Sequence, residues 1–363
     1  MPPSKGLSKL RADMTKAFGD KVTRRDDMTR PVAVPTGSIT LDHALRIGGL
    51  ALRRTHEILG PEGVGKTSLC TLIMASAQKM FPDRGVALID MEQSFDFAYA
   101  QKLGLDLDED RFVHIYPDHS EDVADIAKML LRSGDISVVC LDSIGGMESK
   151  AAFEKSAEDS AMGKNSQVIS RMVKQVASLC RAKNAMVIFV NQYRADIGNP
   201  RGGQKSAGPN ILKYCTTTKI ELKRTGEPVV KVPVADAVSE SVKDEEIGRQ
   251  LRAKVVRNKF APPGRAADFW LFSADHPTWG PIGIDRADEA LNLGIATGAI
   301  ERINASKYGL PDGTHIVGRA NVKQALREKP ELTELVRQRA LLTVSGEIVP
   351  EHEVTYDDEE YAA

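Results

Sequence analysis

The sequence lacks an excess of charge of either sign: 49 Lys and Arg stand against 50 Asp and Glu, a formal net charge of −1. A polycation that coats nucleic acid or an anionic membrane over its whole surface is thereby excluded, and any nucleic-acid binding must be local. No run of about 18 apolar residues occurs, so no membrane span is expected. The residues after Met1 lack the apolar core of a secretory signal. Cysteine is sparse: Cys70, Cys140, Cys180 and Cys215 are scattered, without a C-x-x-C pair, and three sit in apolar stretches. They read as small buried hydrophobes of a reducing cytoplasm. The seven histidines are equally dispersed, which excludes a metal cluster of ordinary spacing. What remains is 42% hydrophobic and 27% charged, the composition of a soluble globular chain whose 363 residues suit two or three domains.

One stretch carries obvious chemistry. Gly60-Pro61-Glu62-Gly63-Val64-Gly65-Lys66-Thr67 fits the phosphate-loop pattern G-x-x-x-x-G-K-[ST]. His56–Leu59 before it reads as the end of a buried strand. After it Leu69, Leu72, Ile73, Ala77 and Met80 recur at helical spacing. Glycines let successive backbone N–H groups turn around an anion, and the helix N-terminus adds partial positive charge. Lys66 can reach the β- and γ-phosphates, the Thr67 hydroxyl can bind Mg²⁺, and Ser68 belongs to the same nucleotide-holding turn. An ordinary glycine turn is the alternative, but it does not require all eight positions.

The rest of the chain is organised around that loop. Residues 1–31 form an arm in which Leu7, Leu10, Met14 and Phe18 predict a short amphipathic helix. Its apolar face needs a cover, supplied by a neighbouring subunit or by the chain's own core. Residues 32–282 form the main domain, in which Gly48-Gly49 is expected to close a first helix. Val86–Ile89, Ile136–Leu141 and Val187–Val190 are apolar strands alternating with amphipathic helices, the pattern of a parallel sheet covered on both faces. Thr216–Lys223 and Leu251–Val256 are further strands, joined by a polar hairpin excursion, and Phe269–Phe272 ends the core. Residues 283–345 form a small α/β domain with helices Asp285–Leu293, Ala320–Arg327 and Glu331–Leu342 around a hairpin at Tyr308–Val317. Residues 346–363 form an acidic, solvated tail.

Polar residues at the C-terminal ends of parallel strands line the ligand edge of such sheets. Asp142 ends one strand, where an acid can orient the Mg²⁺ shell; a helix N-cap is the alternative. Glu92 follows another and is either a base that polarises water or a surface glutamate. Gln192 ends a third beside a glycine-rich basic loop, where its amide can sense a γ-phosphate or merely cap the strand.

These motifs resemble the RecA-type DNA strand-exchange ATPases. The resemblance rests on Gly60–Thr67, Ile89-Asp90-Met91-Glu92, Leu141-Asp142-Ser143, Asn191-Gln192-Tyr193-Arg194 and Asn210-Ile211-Leu212-Lys213-Tyr214. Thr36–Asp42 and Lys254-Val255-Val256-Arg257-Asn258-Lys259 match as well. It covers nearly the whole chain and, through the small C-terminal domain and acidic tail, is similar to the bacterial form. It implies a P-loop ATPase core of the RecA-like α/β class with an N-terminal polymerisation helix. It implies Glu92 as general base, Asp96 and Tyr99 as holders of adenine, and Gln192 as the link from γ-phosphate to DNA loop. Arg257 and Lys259 are implied to reach the ATP of the next subunit, Arg257 standing where a lysine is usual.

The resemblance also implies two DNA loops. The first spans about Glu154 to Asn165, with Met162 and Gly163 in the family pattern, and Ser170 and Lys174 follow on its helix. The second, Tyr193 to Pro209, carries Arg194, Ile197, Arg201, Lys205 and Gly208, with Asn210 and Lys213 just after it. Its local charge suits phosphates; a flexible surface turn is the alternative from composition. The second loop is short and leaves Ile197 to wedge between bases, Pro209 stands where glycine is usual, and Gln167 replaces an arginine. Thr225–Gln250 is an insertion. These departures suggest a divergent member, of bacterial or phage origin. The function implied is an ATP- and Mg²⁺-dependent recombinase that forms filaments on single-stranded DNA and exchanges strands with duplex DNA. A hexameric helicase and a nucleotide-gated scaffold are the rival readings.

Overall fold

The computed structural model describes residues 5–19, 31–147, 161–195, 203–235 and 242–345. The acidic tail, most of the first DNA loop, Ile197 and Arg201 lie outside the described residues.

Helix α1 (Lys5–Phe18) forms as its apolar spacing predicts, and Leu7, Leu10, Met14 and Phe18 are all exposed on the single chain. A small ribbon of β1 (Ala33–Val34) and β2 (Leu50–Ala51) brackets α2 (Ile39–Leu45). Ser38 starts α2 by accepting from the Leu41 N–H. Its end differs from expectation: Arg46, not Gly48-Gly49, is the left-handed cap, with φ 70°, and its N–H returns to the His43 carbonyl.

The strand–helix alternation then runs β3 (Thr55–Leu59), α3 (Lys66–Met80), β4 (Gly85–Asp90), α4 (Phe97–Lys102), β5 (Phe112–Ile115), α5 (Ser120–Ser133), β6 (Ile136–Asp142), α6 (Ala161–Ala182) and β7 (Met186–Asn191). Strands β3, β4, β6 and β7 are buried along their whole length, because helices cover both faces. A short hairpin of β8 (Tyr193–Ala195) and β9 (Gln204–Ser206) follows, then helix α7 (Ile211–Cys215). Next come β10 (Thr218–Ala235), β11 (Val242–Asn258), β12 (Ala266–Phe272) and β13 (Gly283–Ile284). Strand β10 starts two residues later than expected, because the Thr216 N–H closes α7 on the Leu212 carbonyl. The sheet does not end at Phe272: β13 adds to β12 through Leu271 and Phe272.

The nine-stranded sheet has the order β13-β12-β11-β10-β3-β7-β6-β4-β5. It is parallel from β10 to β5 and antiparallel from β10 to β13. The loops after β3, β4, β6 and β7 therefore meet at one edge. No described helix is long and apolar enough to cross a membrane.

Residues 286–345 form α8 (Arg286–Thr297), the strands β14 (Glu301–Arg302), β15 (Lys307–Gly309) and β16 (His315–Val317), and then α9 (Arg319–Glu328) and α10 (Pro330–Ser345). Their core of Leu291, Ile300, Val322, Leu326 and Val336 includes Ile39 of α2. Two polar ties fix that seam. Arg337 donates to Asp42 and to the Gly48 carbonyl. Glu289 accepts from Ser38 Oγ (2.5 Å), Ile39 N (2.8 Å), Thr40 N (3.3 Å) and Thr40 Oγ1 (2.5 Å), which caps the first turn of α2 from across the seam.

Burial pushes the Glu289 carboxyl up to about 7. The folded chain thus keeps a proton that the unfolded chain releases near 4.5, and this contribution is full below that value and lost as pH rises through 7. Glu289→Ala leaves these buried donors unpaired and is expected to cost about 1–3 kcal/mol near pH 5. That cost shrinks toward pH 8, as urea unfolding at both values will test. A cost that grows with pH contradicts this ionisation.

Candidate functional site

The phosphate loop, the ends of β4, β6 and β7, and the paired strands β11 and β12 enclose a cavity of about 580 Å³. It is lined by Glu62, Gly63, Gly65, Lys66, Thr67, Ser68, Glu92, Asp96, Tyr99, Asp142 and Gln192, all expected from the sequence. Gly60 and Pro61 lie at the loop base, and Val64 turns into the core. Gly65 has φ 100°, and a Cβ there would stand 2.7 Å from Leu271 Cδ2, so only glycine fits where α3 starts.

Lys66 Nζ donates to the carbonyls of Gly60 (3.1 Å) and Pro61 (2.7 Å), and burial lowers its pKa. Thr67 Oγ1 donates to Asp142 Oδ2 at 2.6 Å. Asp142 is buried, and its carboxyl is pushed up to about 6 by that burial, opposed by the Thr67 hydrogen bond and reinforced by the charge of Glu92. A cation at this carboxylate would relieve the desolvation. Two hard oxygens side by side suit Mg²⁺, which takes one or two protein oxygens and fills its octahedron with phosphate and water. The N-cap alternative for Asp142 is not what is seen: its carboxylate meets Thr67.

Glu92 is held from both sides. Its backbone N–H and that of Gln93 donate to Asp90 Oδ1 at 3.0 and 2.9 Å. Its Oε1 accepts from Ser143 Oγ (2.7 Å) and from Gln192 Nε2 (2.6 Å). The Asp142–Ser143 peptide is cis. Gln192 is therefore tied to the carboxylate as well as to the loop it opens. The neighbouring Asn191 pins that loop: its Oδ1 accepts the Gln192 N–H at 2.8 Å, and its Nδ2 donates to Glu57 and to the Ala207 carbonyl, both at 2.9 Å. Asp96 caps α4 through the Tyr99 N–H, and the Tyr99 hydroxyl donates to the Phe272 carbonyl at 3.2 Å.

Other expected residues stand apart from the cavity. Met162 and Gly163 lie in the first turn of α6, with Ser170 half-buried and Lys174 exposed four residues on along that helix. Arg194 is exposed and donates to the Gly145 carbonyl, and Lys205, Asn210 and Lys213 are exposed around it. Gly208 has φ 80°, and a Cβ there would meet Ile144 Cγ2 at 2.8 Å. Lys259 Nζ donates to the Tyr214 carbonyl at 3.3 Å. Arg257 Nη1 is buried and has no hydrogen-bond partner among the described residues.

Sequence reasoning missed Ser94, Ile247, Arg249, Leu271 and Ser273, which complete the cavity wall. Four of them come from β11, β12 and the residue after β12. Only the pairing of those strands brings them to the loop, so no local signal marks them. Asn191 was legible as a polar strand end but not as the pin of the loop.

Comparison with known proteins fits this geometry. A model of the RecA N-terminal domain matches residues 5–275. Protein RecA of Azospirillum lipoferum is 33% identical over 93% of this chain and 89% of its own length. Protein RecA of Acinetobacter baylyi is 33% identical over 98% of this chain and 97% of its own. Protein RecA of Methylococcus capsulatus is 35% identical, with 93% of each chain covered. The chain belongs to the RecA family, the ATP-dependent, DNA-binding ATPases of recombination and repair.

Proposed function

We propose that the chain polymerises on single-stranded DNA, pairs it with a homologous duplex and exchanges strands in the cytoplasm, with ATP and Mg²⁺ at the joint between subunits. The observation that carries this reading is the Gln192–Glu92 hydrogen bond. It joins the residue that opens the basic loop to the carboxylate at the hydrolytic end of the cavity. A carboxylate oxygen that already accepts two hydrogen bonds has its lone pairs engaged and is less open to a water molecule. A γ-phosphate that draws the Gln192 amide to itself frees Glu92 and shifts the start of the DNA loop in one event. By linkage, DNA on that loop favours the same position of Gln192.

In the hydrolytic step the water oxygen bonds to the γ-phosphorus, the bond to the β–γ bridging oxygen breaks, and Glu92 takes the water proton. Lys66 and the loop N–H groups spread the charge left on ADP. Thr67 and Asp142 would hold Mg²⁺, which when bound neutralises phosphate charge. Asp96 and Tyr99 hold the base. Lys174, Arg194, Lys205, Asn210 and Lys213, with Met162, Gly163, Ser170, Gly208, Ile197 and Arg201, contact the DNA.

Filament formation is supported by two features. The apolar face of α1 is bare on the single chain and suits a neighbouring subunit. Arg257 and Lys259 do not line the chain's own cavity. Arg249, which does, lies eight residues before Arg257 on β11, roughly 25 Å along an extended strand. The pair therefore serves a neighbour's nucleotide. Residues 1–31, 32–282, 283–345 and 346–363 act as arm, core, small domain and acidic tail, the tail competing with duplex DNA for basic surface.

Strand exchange between a circular single strand and a homologous linear duplex, with ATP, tests the whole reading. Joint molecules and nicked circles are expected, together with turnover that rises on adding single-stranded DNA. Turnover indifferent to single-stranded DNA sinks it, and electron microscopy showing closed rings favours the helicase.

A further inference from the structure

The ribbon that β10 and β11 form beyond the sheet has no part in the function proposed above, yet its base lines the nucleotide cavity. We propose that this ribbon is one wall of the nucleotide site and that its Arg249 is a positioning residue for the sugar and α-phosphate of the nucleotide bound by the same chain. The proposal rests on the nucleotide reading of the cavity.

The geometry is as follows. The pairing of β10 with β3 stops at Glu221↔Leu59, and that of β11 with β12 stops at Gly248↔Phe272. Strands β10 and β11 stay paired beyond both points, to Ala235↔Val242. The ribbon thus leaves the sheet beside the cavity. Its base is stiffened by a small core of Val230, Ile247 and Phe272, with Trp270 stacked on Phe272 at 5.8 Å. Ile247 and Arg249 from this base line the cavity with Leu271 and Ser273.

Arg249 is held at two points. Its Nη1 donates to the Gly63 carbonyl at 2.9 Å, and its Nε pairs with Glu246 at 2.7 Å. Among the described residues these contacts leave Nη2 for a ligand. Arg224 of β10 reaches the same Gly63 carbonyl at 3.3 Å. The position between the two ends of the cavity is fixed by its neighbours. Gly63 is the apex of the phosphate loop. Tyr99 marks the base end; burial raises its pKa, and the Arg249 charge works against that rise. A nucleotide with its base at Tyr99 and its terminal phosphate at Glu92 and Gln192 passes Arg249 with its sugar and first phosphate. A guanidinium fixed there meets an anion without losing side-chain freedom on binding.

The test is ADP and ATP binding to the full chain without DNA, by calorimetry, for wild type, Arg249→Ala, Arg249→Gln and Arg249→Lys, with Lys66→Ala as a control. Arg249→Ala is expected to weaken both nucleotides on the order of tenfold. Arg249→Gln should behave like the alanine variant, because it keeps a donor for Gly63 but loses the charge. Arg249→Lys should recover part of the loss. In DNA-stimulated turnover, KM should rise more than kcat falls. Arg249→Gln binding as tightly as wild type would mean that the side chain only props Gly63, and overturns the proposal. Wild-type protein that binds neither nucleotide, or binding that Lys66→Ala leaves intact, would instead remove the nucleotide reading of the cavity on which it rests.

Discussion

Glu92→Gln lowers DNA-stimulated ATP hydrolysis by about 10²–10⁴-fold, the range of a positioned general base, and leaves nucleotide binding in place. The substitution is conservative where it needs to be. The Gln oxygen still accepts from Ser143 Oγ and Gln192 Nε2, and the backbone N–H still rests on Asp90. Glu92 is also exposed, so its replacement takes nothing from the core. What is lost is the proton acceptor alone. Phosphate release with saturating single-stranded DNA measures the rate, and retention of labelled ATP measures binding. The variant should accumulate as an ATP-bound assembly that dissociates slowly from DNA. Full turnover removes Glu92 as the base and leaves its two hydrogen bonds as structural ties.

What the sequence could reveal follows from how local each contact is. The phosphate loop was legible because its chemistry is contiguous: Gly60 to Thr67 carry both the backbone turn and the cation. Strands β3, β4, β6 and β7 were legible because burial on two faces makes parallel strands continuous apolar runs. The edge that gathers Glu92, Asp142 and Gln192 followed from that alternation. The cap at Arg46 was not legible, because glycine is the residue expected in the left-handed region and two glycines stood nearby. The polar excursion between the two strands was legible as a hairpin, and the structure pairs Lys243, Asp244, Glu245 and Glu246 across it with Val234, Pro233, Val232 and Lys231. Arg249 was not legible as part of the cavity, because only the pairing of β11 with β12 brings it beside Leu271. Glu289 read as one more charge on a helix, because its buried partners Ser38 to Thr40 lie about 250 residues away. Long-range polar pairing leaves no periodic trace.

A mixing experiment makes the second large prediction, that catalysis is shared between subunits. Arg257→Ala with Lys259→Ala should lose about 10³–10⁵-fold in turnover, the range of cations supplied across an interface to a transferring phosphoryl group. Lys66→Ala should fail as well, for lack of the loop lysine. Neither variant works alone. Each nevertheless carries what the other lacks if, as proposed, a head-to-tail interface joins the phosphate loop of one chain to β11 of the next. In a mixed assembly, a loop from the Arg257/Lys259 variant that faces β11 from the Lys66 variant is a complete site. Random equal mixing makes roughly a quarter of the interfaces complete, so turnover should return to about that fraction of wild type. A cis arrangement allows no recovery at any ratio, since every chain then holds a broken site. Arg257 Nη1, without a hydrogen-bond partner among the described residues and on a strand whose middle reaches the chain's own nucleotide cavity, argues for recovery. The return of activity on mixing two inactive proteins would also require assembly, since separate chains cannot complement. Dilution below the assembly concentration should therefore abolish it.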